Sequence, residues 1–161
     1  VNWLIAEGLC LAGRYDVASE LVARSLRMCM ATGEPWLTES YHPRTGYPYL
    51  THNTFNYIWG GLFADMLLRR VAGLQPYAAR DTLIVNPLPG GPGRIALTDV
   101  RFGAHAVDVV LVREGEGVAL SLSHRGERPL VLVTSAGQRV VANETVAMRI
   151  RTFSAPHWLA M

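Results

Sequence analysis

Apolar positions recur at three- and four-residue spacing through the first part of the chain and at two-residue spacing through the rest, with the change of period just after Pro76. Residues 3–12 are almost wholly apolar around Glu7 and run into Gly13, which suits the left-handed turn that closes a helix. A short, heavily buried helix is predicted there. Asp16 then stands where an N-cap belongs, and Val17, Leu21, Val22, Leu26, Cys29 and Met30 continue as one stripe to about Thr32, so the first two helices form a hairpin. A third helix is predicted over residues 54–72, with Phe55, Trp59, Leu62, Phe63, Met66 and Leu67 on one broad face and Gly73 as its stop. Gly60 and Gly61 inside it suit close helix packing.

The period-two segments lie at residues 82–85, 94–98, 107–112, 118–123 and 130–134, with a last one at about 144–153. Between them stand Pro89-Gly90-Gly91-Pro92, Glu114-Gly115-Glu116-Gly117 and Ser135-Ala136-Gly137-Gln138, each with the residues of a tight turn. An antiparallel β-domain follows from this pattern. Helices first and strands afterwards imply two domains, 1–75 and 76–161, rather than an alternating α/β fold. Three helices are too few to enclose this much apolar surface, so the helical part is expected to continue upstream of Val1.

Half of the 161 residues are apolar, enough for a proper core. The formal charge of +2 is spread over scattered Arg residues, with no basic run interleaved with aromatics, which argues against nucleic acid as a partner. Arg14, Arg24, Arg27, Arg69 and Arg70 interrupt every helical stretch, so none approaches the roughly 20 apolar residues of a membrane span. Cys10 and Cys29 sit in helical patterns without zinc-ligand or disulfide-framework spacing. They read as buried thiols and favour a reducing, cytoplasmic setting. No cofactor or metal signature is present, and nothing in the pattern fixes an oligomeric state.

Candidate chemistry concentrates in residues 33–53, a loop holding Pro35, Pro43, Gly46 and Pro48 among four aromatics. Its densest part, residues 36–46, gathers Trp36, Tyr41, His42, Arg44 and one carboxylate, Glu39. Aromatic planes beside a carboxylate suit carbohydrate, because sugar C–H faces stack on rings while the acid or base moves the proton. Composition alone leaves the bland alternative open, a structural loop with Glu39 solvated or capping a backbone donor. Arg44 and Thr45 read as turn residues, and His42 is left out of catalysis.

Residues 36–46 resemble the W-x-x-E-x-Y-x-P-x-T-G segment of glycoside hydrolase family 63 and related trehalase-like and sugar-glycerate α-glycosidases. Asn2, Glu7, Gly8 and Leu9 are similar to the N-x-x-x-x-E-G-L helix start that precedes it, and residues 55–59 resemble the opening of the last barrel helix. The likeness covers about residues 1–75. It implies an α+β chain made of the last helices of an (α/α)6 barrel followed by a small antiparallel β-sandwich. It further implies Glu39 as the general base of an inverting hydrolase, with Trp36, Tyr41, Trp3 and Asn2 lining the substrate site. The substrate class would be small α-linked glucosides or mannosides. The general acid is an Asp expected upstream, since Asp16 at a helix start and Asp65 deep in a helix do not fit that role, and this chain alone is expected to be inactive.

Two other classes stay open beside it. One is a non-catalytic carbohydrate-binding or structural module. The other is a lyase or phosphorylase, disfavoured because the candidate site has no Lys and only Arg44 as a cation near Glu39.

Overall fold

The computed structural model describes residues 2–30, 42, 44–45, 47 and 61–151. Among these residues the chain divides between Leu67 and Leu68 into a helical unit and a β-unit.

In the helical unit, α1 (Asn2–Leu11) packs on α2 (Tyr15–Cys29). The link is a Schellman turn. Gly13 adopts φ 72°, its N–H donates to the Cys10 carbonyl at 3.1 Å, and the Arg14 N–H donates to the Leu9 carbonyl at 2.8 Å. Ala6 and Cys10 are buried on α1, and Ala18, Val22, Ser25 and Cys29 on α2, each set at spacings of three or four. The predicted heavy burial of the first helix holds for this one stripe only. Leu4 (65% exposed), Ile5 and Leu11 face solvent, because a single partner helix covers a single face. Asp16 is not the N-cap either. Arg14 occupies that position, and Asp16 falls in the first turn, where the Val17 backbone N–H holds its carboxyl below the usual range.

The third helix departs more. Residues 54–60 of its predicted span lie outside the described residues. α3 (Gly61–Asp65) gives way after five residues to a π-helical turn, Met66–Val71, which ends at Ala72 and Gly73. The chain is thus a small α+β protein, and the expected barrel helices are corrected by what is present. Among the described residues there are three α-helices, one of them a turn and a half long, and two four-stranded sheets, with no (α/α)6 barrel.

The β-unit has eight strands: β1 (Leu74–Tyr77), β2 (Thr82–Val85), β3 (Arg94–Phe102), β4 (His105–Glu114), β5 (Gly117–Gly126), β6 (Leu130–Thr134), β7 (Gly137–Val141) and β8 (Thr145–Arg151). One sheet runs β1-β2-β6-β7 and the other β3-β4-β5-β8. β4 and β5 alternate buried and half-buried residues along almost their whole length, so Val107, Val109, Leu111, Val118, Leu120 and Leu122 point inward. They meet Leu83, Val85, Leu130, Leu132 and Val141 of the other sheet in one apolar core. Each such side chain contributes about 1.5–3 kcal/mol by leaving water.

The all-antiparallel expectation is also corrected, since β2 and β6 pair in parallel. Three strands of the other sheet intervene in sequence between them and supply the long crossover that parallel pairing requires. β1 is an unpredicted strand containing Pro76, tolerated because β1 lies at the sheet edge. β7 is a second unpredicted edge strand whose first four residues are exposed.

Candidate functional site

Of the predicted site residues, Glu39, Trp36 and Tyr41 lie outside the described residues. Asn2 and Trp3 open α1, and both side chains are engaged within the helical unit. Asn2 Nδ2 donates to Ser25 Oγ at 3.0 Å, and that hydroxyl donates to the Leu21 carbonyl one turn back along α2 at 2.8 Å. Trp3 Nε1 donates to Asp65 Oδ2 at 2.6 Å, a charge-assisted bond between α1 and α3. The structure therefore brings Trp3 and Asp65 together, a pairing that spacing along the sequence does not reveal.

Within residues 33–53, the described residues His42, Arg44, Thr45 and Tyr47 bond to one another. The His42 N–H donates to the Tyr47 carbonyl at 2.8 Å, and His42 Nδ1 accepts the backbone N–H groups of Arg44 at 3.3 Å and Thr45 at 3.2 Å. Thr45 Oγ1 accepts the Tyr47 N–H at 3.4 Å. His42 thus uses one ring nitrogen to hold the turn, and Arg44 and Thr45 are turn residues.

The β-unit holds a polar cluster not singled out from the sequence. His105 on β4 and His124 on β5 are 3% and 2% exposed, and His105 Nδ1 lies 3.0 Å from His124 Nε2. His105 Nε2 lies 2.9 Å from Asp81 Oδ1, and the Arg128 guanidinium meets the same carboxylate oxygen at 3.0 Å. At the other end, His124 Nδ1 accepts the Asn143 backbone N–H at 3.2 Å.

Backbone chemistry fixes the protons along this chain of contacts. The Asn143 N–H can only donate, so His124 Nδ1 carries a lone pair and the neutral ring holds its proton on Nε2. That proton points at His105 Nδ1, which must then accept, leaving the His105 proton on Nε2 aimed at the Asp81 carboxylate. Burial pushes the His124 pKa down from 6.5, and the neighbouring His105 adds to the effect. Asp81 and Asn143, at the two ends, both take left-handed backbone angles, φ 48° in each case.

A sequence signal for the pair did exist. His105 is in phase with Val107, Val109 and Leu111, and His124 with Leu122, Leu120 and Val118, so both imidazoles occupy inward positions of alternating strands. Only the β4–β5 register, which sets Val107 opposite His124, shows that they meet.

On the exposed side of the same sheet, Arg125 grips Asp108 with two nitrogens, at 2.5 and 3.1 Å, and reaches Asp99 at 3.6 Å. Asp108 Oδ1 also accepts the Asp99 N–H at 2.8 Å, where β3 breaks register with φ 53° at Asp99. Arg125 and that N–H together bring the Asp108 carboxyl down to about 2.

Among the described residues, no group of three or more His, Cys, Asp and Glu side chains is arranged to hold a metal ion, and no helix is long and apolar enough to cross a membrane. Comparison with protein-family models, with curated proteins and with solved structures finds no match.

Proposed function

We propose that residues 36–46 carry the general base of an inverting glycoside hydrolase acting on small α-linked glucosides or mannosides. The observation behind this is the spacing Trp36, Glu39, Tyr41, Pro43, Thr45 and Gly46, in which one carboxylate falls between two aromatic residues along the sequence. The local turn formed by His42, Arg44 and Thr45 three residues later supports it, since it limits the conformations open to the end of the motif. In this assignment Glu39 takes a proton from water as that water attacks the anomeric carbon, and Trp36 and Tyr41 stack on the sugar. A carboxylic acid about 6.5–9.5 Å away protonates the leaving group. Asp65, bonded to Trp3, is not assigned that task. Asn2 and Trp3 are wall residues, with Asn2 Nδ2 committed to Ser25 and Trp3 Nε1 to Asp65.

For the β-unit we infer a structural role. Its described strands offer only Tyr77 and Phe102 as aromatic six-membered rings, and Phe102 stacks at 5.3 Å on the buried His105 instead of facing outward in a row.

The test is Glu39→Gln in the full-length polypeptide, assayed on α-glucosides and α-mannosides with the first-formed anomer read by NMR. Expected are release of the β-anomer by the parent and a loss of about a hundredfold or more in turnover in the variant, with an unchanged circular dichroism spectrum. Turnover near the parent value, or a phosphorylated or unsaturated product, overturns the assignment.

A further inference from the structure

We propose that the buried chain Asp81–His105–His124–Asn143 is an acid-released latch that fastens the β7–β8 turn to the end of β5. The turn is held to β5 at three points. The Asn143 N–H donates to His124 Nδ1, Asn143 Oδ1 accepts the Gly126 N–H at 2.9 Å, and the His124 N–H donates to the Glu144 carbonyl at 3.0 Å. Gly126 lies against the imidazoles so closely that a Cβ there would stand 2.8 Å from His124 Nε2 and 3.2 Å from His105 Nδ1. Both rings are buried and pack against the Gly126 backbone, where only a residue without a side chain fits beside them.

The proton order of the chain leaves no place for one more proton. Added to His124 Nδ1, it confronts the Asn143 N–H. Added to His105 Nδ1, it confronts the His124 Nε2 proton, and shifting that proton to Nδ1 restores the first conflict. Either way two donors face each other in a buried site, and one hydrogen bond is replaced by repulsion.

Charge balance works in the same direction. Among the described residues, the charged groups around the rings are Asp81 ahead of β2, which bonds His105, and Arg128 between β5 and β6, which already pairs with Asp81. Phe102 of β3 presents a ring, Asn143 and Glu144 present backbone groups, and the Glu144 carboxylate lies 3.5 Å from Arg139. An imidazolium would thus be a surplus cation in a site whose single anion is matched. The lowered His124 pKa agrees with this. A His whose folded pKa lies below its ordinary 6.5 contributes stability that is complete above 6.5 and is lost as pH falls below it.

The experiment is NMR on the full chain. Long-range nitrogen–proton spectra at pH 8 read the tautomers, and amide exchange from pH 8 to 5, corrected for intrinsic rates, reads the latch. Expected are the Nε2–H tautomer on both imidazoles and, below the usual imidazole range, a loss of protection at Asn143 and Gly126. That loss should be about tenfold per pH unit, while the Val109 and Leu120 amides keep their protection. An Nδ1–H tautomer at His124, or equal protection of Asn143 and Gly126 at both ends of the range, overturns the proposal. Arg128→Ala supplies a second check at an exposed side chain. With Asp81 no longer matched, a proton on the imidazole pair costs less in the closed latch, so the acid-driven loss of protection should shrink, whereas a loss of unchanged size overturns the charge balance assigned here.

Discussion

Trp3 and Asp65 stand 62 residues apart in sequence, yet the indole N–H meets the carboxylate at 2.6 Å. Together with the Asn2–Ser25 contact, this bond ties the first residues of α1 to α3 and α2. Trp3→Phe keeps a smaller aromatic ring and removes the donor. The expected loss in urea unfolding is about 1 kcal/mol, near the low end for a bond to a charged group because the pair is only partly buried. An unaltered midpoint would mean that the bond to Asp65 carries no stability and that Trp3 serves the substrate wall alone.

Gly73 ends the π-helical turn at φ 73°, and a Cβ there would lie 2.1 Å from the Pro87 backbone nitrogen. Its carbonyl accepts the Asn86 N–H at 2.8 Å, so the close approach is part of how β2 leaves the core. Gly73→Ala meets both a left-handed backbone penalty and a steric clash with main chain that has no side-chain freedom to yield. The expected cost is about 3 kcal/mol, read as a fall in the thermal midpoint of the β-unit. A fall of less than a degree would mean that the Asn86–Pro87 segment moves aside freely.

The parts of this fold readable from the sequence were those with a repeated signal. The hairpin of α1 and α2 shows in Gly13 and in the three- and four-residue spacing of α2, although of the stripe read there only Val22 and Cys29 are buried, Val17 and Met30 facing solvent while Ala18 and Ser25 complete the buried face; β4 and β5 show in their alternation. What stayed hidden lacked such a signal or depended on partners far along the chain. β1 contains Pro76, whose missing N–H argues against a strand until edge position makes it harmless. β7 begins Gly-Gln-Arg and keeps only Val141 buried, so its hydrogen bonds to β6 rather than its side chains define it. The π-helical turn at Met66–Val71 shifts the backbone by one residue without disturbing the apolar run that predicted an α-helix. The barrel expectation came from the likeness of residues 1–75 to a family, and local spacing of that kind specifies neighbouring helices without specifying a closed ring. Glu39, Trp36 and Tyr41 were legible only as a motif, whereas the His105–His124 pair needed the sheet register.

Asp108 gives a pH-dependent prediction. Its carboxyl sits at about 2 in the fold against an ordinary 3.8, so its stabilising contribution is complete above 3.8 and disappears as pH falls from there to about 2. Asp108→Asn cannot titrate. The variant should melt lower than the parent at pH 6, and the two curves should converge by about pH 2. Because Arg125 is half exposed, about 0.5 M salt should narrow the gap at pH 6. A gap that persists unchanged through pH 2 would assign the effect to packing instead of charge.

Asn143 separates backbone strain from side-chain bonding at the β7–β8 turn. Its φ of 48° suits Asn and Gly better than other residues, and its Oδ1 accepts the Gly126 N–H while its own N–H serves His124. Asn143→Gly keeps the backbone angle and the bond to His124 and removes only the bond to Gly126, for an expected loss of about 1 kcal/mol. Asn143→Ala removes that same bond and must also hold an unfavourable angle, adding about 1–2 kcal/mol. Urea unfolding of both variants at pH 8, where the latch is closed, therefore isolates the strain as the difference between them. Equal losses would mean that the turn relaxes out of the left-handed region when the side chain is cut back. Amide exchange at residue 143 would then report whether the bond to His124 persists in Asn143→Ala.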